Sequence, residues 1–441
     1  MTMSVLLKNG IVYDPQGKEK RLDLRIKAGV IAQVGEHLSE QEDEQIIDVT
    51  DLWVAPGFID LHTHLRDLGQ SNREDIFTGT RAAACGGYTT VMAMANTDPP
   101  IDNALILSRV NQLIAQRACI EVIPVACVTK NMEGLELTNM VELAALGAGA
   151  FSDDGKPIMN LAVLRRALEY AQLANRMLIS HAEDKDLAAG GSMNESPTST
   201  RLGLRPIPAA AEAACVAREI EVVRQTGWGI HFAHISTAAS VELIANAKRS
   251  GLKVTADVTP HHISLTDEDI TEFDTAYKMN PPLRSHADRK AVIEGLKDGT
   301  IDAIATDHAP HSRADKAKTF DQAPFGVIGL ETAFALAHEK LVLEKHMSIG
   351  KLFQLFTANP ARILKRELLL SPGGAANFAI LDLNQTWVYD AEKGHSKSNN
   401  SPFNGRKLSG KNLATIYNGT LVYKDEHLMR TRISGDTVKQ R

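Results

Sequence analysis

VAPGFIDLHTH, residues 54–64, is the stretch on which the fold turns. Its apolar run reads as a buried strand, and it ends in His62 and His64. Side chains alternate along a strand, so a His-x-His pair at its end sends both rings to the same side. Alone, such a pair fits packed histidines as well as metal ligands, and the rest of the chain has to decide.

Working outward, seven further short apolar or β-branched runs follow: 88–94, 121–128, 148–154, 177–183, 229–236, 252–259 and 303–310. Between them lie stretches of helical periodicity such as LAVLRRALEYAQLA (161–174) and AAAEAACVAREIEVVRQ (209–225). Strands alternating with helices predict a parallel sheet, and eight of them predict closure into a (β/α)8 TIM-type barrel. A last helix in LFQLFTANP is expected to end before Pro360, because the residue preceding a proline is pushed out of the helical region.

The polar residues then fall into a pattern. Asp153 and Asp154 end the fourth run, His181 the fifth, His234 the sixth and Asp307 the eighth. A barrel gathers the C-terminal ends of its strands on one face, where catalytic groups collect. Imidazole nitrogens and carboxylate oxygens suit a divalent metal ion such as zinc, and a carboxylate can bridge two ions. His261 and His262, closing the seventh run, are left open.

The flanks differ from the barrel region. LLKNGIVYD, DLRIKAGVIAQVG, NFAILDL and NLATIYNGTLVY read as strands with Asn-Gly and Ala-Gly turns. Both flanks are too short to stand alone, which predicts a small β-sandwich domain formed by both termini. The expected division is 1–53 with 371–441 for that domain and 54–370 for the catalytic barrel. SKSNNSPFNG (396–405), polar and turn-rich, is expected to be an exposed loop.

In 441 residues, 48 Lys and Arg stand against 54 Asp and Glu, a formal net charge of −6. That balance argues against a nucleic-acid or anionic-membrane partner and for a small-molecule substrate. Four cysteines without a C-x-x-C pair, an N-terminus with no signal-peptide pattern and no apolar run long enough to span a bilayer together predict a cytoplasmic protein.

The segments GFIDLHTHLRD, AFSDDG, ISHAE, HFAHIST, DVTPHH, NPPLR and ATDHAPH together resemble the amidohydrolase superfamily, and within it the type I dihydroorotases. The resemblance implies one or two zinc ions per subunit, with His62, His64 and Asp307 on one and His181 and His234 on the other. Asp154, rather than Asp153, would bridge them. It also implies Asp307 as the catalytic proton carrier, with Arg66, Asn96 and His311 holding a substrate carboxylate. Asn280 would contact a pyrimidine ring lined by Pro324, Phe325 and Gly326. The activity implied is the reversible closure of N-carbamoyl-L-aspartate to L-dihydroorotate in de novo pyrimidine biosynthesis. A homodimer is expected, and an association with aspartate transcarbamoylase is known among relatives. Hydantoinases and allantoinases are the alternative. In hydantoinases the bridge is a carboxylated lysine at the end of strand four, where this chain has FSDDG and Lys156 only beyond the glycine. A non-catalytic paralogue partnering the transcarbamoylase is disfavoured, since no ligand position is lost. One departure is Asp67-Leu68-Gly69 where the family usually has Glu-Pro-Gly, which predicts a differently shaped loop after strand one.

Overall fold

A computed structural model of the chain describes residues 4–426, 428, 433 and 434. Among the described residues, eight parallel strands follow one another in a single sheet. They are Phe58–Thr63, Tyr88–Ala93, Glu121–Ala126, Ala150–Phe151, Met177–Ser180, Ile230–Phe232, Val254–Val258 and Ala303–Ile304. A parallel bridge between Thr63 and His308 joins the last strand to the first and closes the barrel. Asp60 fastens this seam: its carboxylate accepts the Thr306 N–H (3.0 Å), the Thr306 hydroxyl (2.6 Å) and the His62 N–H (3.1 Å).

Ile59, Leu61, Met92, Met94, Ile123, Val125, Ile179 and Ala305 fill the interior, with Ala361 packed among them. Pairing of the first two strands shifts register between Asp60 and Thr63. Strict alternation is thus broken where Leu61, in the interior cluster, gives way to the His62 and His64 pair at the mouth.

Several strands are shorter than their apolar runs. The sixth and eighth stop at Phe232 and Ile304, and just beyond them His234 and Asp307 take φ of +40° and +46°, outside the β region. The run 54–64 divides at Gly57. Trp53–Pro56 pairs antiparallel with Phe378–Val388 of the terminal sheet, and the barrel begins at Phe58. A side chain at Gly57 would meet the Thr89 side chain at 2.2 Å, so only glycine lets the chain cross there.

The terminal segments form a nine-stranded sheet among the described residues, with the path Thr420–Lys424, Lys407–Tyr417, Phe378–Val388, Trp53–Pro56, Ser4–Tyr13, Glu19–Lys27 and Val30–Gly35. Glu44–Asp48 branches from Ser4–Tyr13 and pairs in turn with Ile433–Ser434. Its core holds Val5, Leu7, Leu24, Ile26, Ile47, Phe378, Ile380 and Leu413. The helix Ile349–Phe356 ends before Pro360 as expected, but a second helix, Ala358–Ile363, starts at once and carries Pro360 in its first turn. Proline is tolerated there because the first-turn N–H groups have no intrahelical acceptor. Cys85, Cys119, Cys127 and Cys215 are all free. No helix of the described residues is long and apolar enough to cross a membrane.

The expectation of an exposed loop at 396–405 is corrected. Ser398, Asn400, Ser401 and Phe403 are buried, in an excursion between Val388 and Lys407 that packs against the barrel mouth. Polar composition misleads here because the polar side chains are consumed by hydrogen bonds to barrel loops rather than by water.

Removing the seam carboxylate should be costly. Asp60→Ala leaves the Thr306 N–H and hydroxyl and the His62 N–H without their acceptor. The metal-free protein is expected to lose about 2–4 kcal/mol in urea unfolding; an unchanged midpoint would contradict this role.

Candidate active site

The strand ends converge. His62, His64, Asp154, His181, His234 and Asp307 are all buried at the barrel mouth. Ligand-capable atoms of His62, His64 and Asp154 lie within 4.8 Å of one another, as do those of Asp154, His181 and His234. Asp154 belongs to both groups. Its Oδ1 is 3.5 Å from His62 Nε2, 3.6 Å from His181 Nδ1 and 3.7 Å from His234 Nε2, and its Oδ2 is 3.5 Å from His64 Nε2. Asp307 joins the first group: its Oδ1 lies 3.0 Å from His64 Nε2 and 3.5 Å from His62 Nε2. Asp153 points elsewhere, accepting the Val128 (2.8 Å) and Thr129 (3.2 Å) N–H groups. Lys156 is exposed, beyond Gly155.

The polar atoms at the centre fit a metal ion. Nδ1 and Nε2 of His62 and Oδ1 of Asp154 are buried with no hydrogen-bond partner. Buried polar atoms are rarely left so, and a ligand set of imidazole and carboxylate is suited to a divalent cation. The charge pattern agrees. Burial opposes a charge on His62, but Asp154 and Asp307 beside it outweigh burial and raise its pKa to about 10. At His181 burial is likewise overcome, by Asp154 and Glu183, and its pKa rises to about 9. Asp154 is held well below the carboxylate range, against its burial, by His62 and its other imidazole neighbours. Positive charge is thus favoured at the place that a metal ion would take.

A pH dependence follows. Below pH 8 the metal-free site carries protons on both His62 and His181, and a metal ion bound to those nitrogens displaces both. Apparent affinity should therefore climb roughly 100-fold per pH unit between pH 6 and 8. Calorimetric titration in buffers of different protonation enthalpy measures the proton release directly, and a pH-independent affinity would contradict it.

The residues expected around a substrate lie beside this cluster, with particulars the sequence does not disclose. Arg66 is buried with φ +61°, and its Nε donates to Pro310 O (3.2 Å). Burial, then Arg73, lowers its pKa to about 10, which leaves it a cation at neutral pH. Asn96 bridges two of the proposed ligands: Oδ1 is 2.9 Å from His64 Nδ1, and Nδ2 donates to Asp154 Oδ2 (3.3 Å). That contact makes Nδ1 of His64 the protonated nitrogen and frees Nε2 to face the centre. Asn280 Nδ2 lies 3.3 Å from His181 Nε2. His311 Nε2 donates to Phe325 O (2.7 Å), while its Nδ1 is buried without a partner. Burial and the Arg66 charge hold His311 neutral, its pKa lowered to about 2. Pro324 O accepts from Lys316 Nζ (2.9 Å), and Gly326 N–H donates to Lys278 O (2.9 Å).

Three residues at the mouth were not singled out from sequence. Glu183 Oε2 lies 3.6 Å from His181 Nε2 and pairs with Lys185, so it holds the ring with Nδ1 turned to the centre. Asp257 Oδ1 accepts the His234 N–H (2.7 Å) and Oδ2 lies 2.8 Å from His231 Nε2, pinning the backbone where φ is positive. Asp60, at the seam, does the same for His62. A carboxylate close in sequence to a candidate ligand, as in IDLH and HAE, was the available signal. Of the undecided pair, His262 is occupied by Thr259 Oγ1 (2.7 Å) and Pro281 O (3.0 Å).

A closed (β/α)8 barrel with two His and carboxylate groups sharing one aspartate at its mouth is the arrangement of a hydrolase of the amidohydrolase class, with residues that could hold a divalent metal. The model of the dihydro-orotase-like family matches residues 52–240. The dihydroorotase of Thermoanaerobacter sp. (strain X514) is 44% identical over 424 residues, covering 96% of this chain and 98% of that protein. That of Elusimicrobium minutum (strain Pei191) is 47% identical over 432 residues, covering 96% and 100%. The chain belongs to the dihydroorotase family. Among solved structures, an L-hydantoinase (dihydropyrimidinase) from Arthrobacter aurescens superimposes with a TM-score of 0.86 at 24% identity, covering 96% of both chains. That likeness extends the shared fold to the terminal sheet as well as the barrel.

Proposed function

We infer that this protein is a metal-dependent dihydroorotase that interconverts L-dihydroorotate and N-carbamoyl-L-aspartate. The observation that carries the reading is the sharing of Asp154 by two ligand groups with the buried Arg66 guanidinium beside them. His62, His64 and Asp307 would hold one zinc ion and His181 and His234 a second, with the Asp154 carboxylate available to both. When bound, zinc lowers the pKa of water and polarises a carbonyl. Arg66 takes the substrate carboxylate in its planar fork, with the second N–H of Asn96 completing the contact. His311, whose one proton is on Nε2, joins them as a donor from Nδ1 only by taking up a proton as the carboxylate binds. Asn280 and the segment Pro324, Phe325 and Gly326 border the ring. Asp307 accepts the proton of the attacking water and delivers it to the ring nitrogen as the C–N bond breaks.

Opening of the ring consumes one water and creates one carboxyl group, which ionises. The equilibrium ratio of N-carbamoyl-L-aspartate to dihydroorotate should therefore rise about tenfold per pH unit from pH 6 to 9. Assay in both directions tests this together with the substrate. Turnover of dihydroorotate with that slope supports the reading; turnover of hydantoin and not dihydroorotate overturns it. Against a hydantoinase, the end of strand four supplies Asp154, while Lys156 faces solvent.

A cytoplasmic location is supported by the four free cysteines. The division into a terminal β-domain (1–53 with 371–441, of which 1–3, 427, 429–432 and 435–441 lie outside the described residues) and a catalytic barrel (54–370) is supported by the distinct clusters of the terminal sheet and the barrel interior. Across that division, residues 54–56 pair with the terminal sheet, a further cluster from Tyr13 to Leu381 joins the two, and the excursion at 389–406 serves the barrel. A homodimer and an association with aspartate transcarbamoylase rest on family resemblance, and sizing of the protein alone and mixed with that enzyme tests both.

A further inference from the structure

Asn400 stands far in sequence from every residue assigned to the site, yet its side chain is sewn into the substrate-anchoring half of it. It is 5% exposed. Oδ1 accepts the His311 N–H (3.0 Å), and Nδ2 donates to both Ala309 O (3.1 Å) and Gly326 O (3.0 Å). Its own carbonyl accepts the Ile328 N–H (3.0 Å). One amide thus joins the loop that carries His311 to the segment that carries Phe325 and Gly326. Those two segments have no slack between them: a Cβ at Gly326 would meet Ala309 O at 2.7 Å and His311 Cδ2 at 2.9 Å. The Asn400 segment is itself anchored. Ser398 Oγ donates to Arg73 O (2.6 Å), the Lys397 N–H donates to Glu74 Oε1 (3.1 Å), and Glu74 Oε2 lies 3.3 Å from Nε2 of His308, the neighbour of Asp307.

We propose that Asn400 is a positioning residue for substrate binding, fixing His311 and the Phe325–Gly326 backbone in the register that receives the substrate carboxylate and ring. This rests on the assignment of Arg66 and His311 as substrate contacts. Only a short side chain with one acceptor and two donors makes all three bonds at once; aspartate lacks the donors, serine the reach and glutamine the fit.

Asn400→Asp keeps the acceptor for the His311 N–H and loses both donors. It should raise KM for dihydroorotate about 10- to 100-fold. Turnover at saturation should stay within about threefold, and metal content should match the parent. A role through His311 also predicts non-additivity: in a His311→Ala background Asn400→Asp should raise KM by less than about threefold further. If Asn400→Asp gives little folded protein, Asn400→Ser is expected to show the same split. The proposal is overturned if KM is unchanged while His311→Ala raises it, if KM rises equally in both backgrounds, or if the loss follows lost metal. If His311→Ala itself leaves KM unchanged, the substrate assignment fails and takes this proposal with it.

Discussion

Asp307→Asn is expected to lower kcat about 1000-fold or more in both directions, with a much smaller loss of bound metal. The reason lies in charge. The Asp307 carboxyl is buried, which opposes ionisation, but His62 and His64 beside it hold it well below the usual carboxylate range. It is therefore an anion at neutral pH and can take a proton from attacking water at the point where the substrate carbonyl must lie. The amide of asparagine keeps the shape and one coordinating oxygen yet cannot take up the proton. Metal content and kcat measured on the same preparation separate the two roles; a fall in kcat that only tracks metal loss would contradict proton carriage by Asp307.

Arg66→Met should lower kcat/KM for dihydroorotate by about 100- to 1000-fold, mostly through KM. Methionine preserves the length of the stem and removes the charged fork from a buried position. The effect should depend on the substrate carboxylate: competitive inhibition by dihydrouracil, the ring without that group, should change little. Equal losses for both would place Arg66 in scaffold rather than recognition. Its φ of +61° is a second reason to compare thermal stability, since that backbone strain is stored in the loop just past His64.

The alternation of apolar runs and helical stretches is enough to read the barrel, because each strand is buried on both faces. The ligand positions are legible for a related reason. His and Asp at the ends of such runs are costly to bury unpaired, and metal ions shared among them remove that cost. What periodicity does not give is where strands stop. His234 and Asp307 leave the β region through positive φ, which no residue-type pattern announces at non-glycine positions. Gly57 turns one apolar run into two strands of different sheets. The hydrogen-bond partners of Asn96 and His311 depend on which ring nitrogen carries a proton, a property of the assembled site rather than of sequence. The burial of 396–405 escapes a sequence reading because a polar run looks the same whether its partners are water or barrel loops, although Phe403 within it is a hint.

Metal analysis of the purified protein, joined to dihydroorotase assay before and after chelation and after readdition of zinc, bears most directly on the claim that the two histidine groups around Asp154 form a metal centre. One to two divalent ions per chain, activity lost with them and regained on zinc, and loss of the second ion in His181→Ala are the predicted results. Full dihydroorotase activity in the chelated protein, undiminished by His181→Ala, would contradict it.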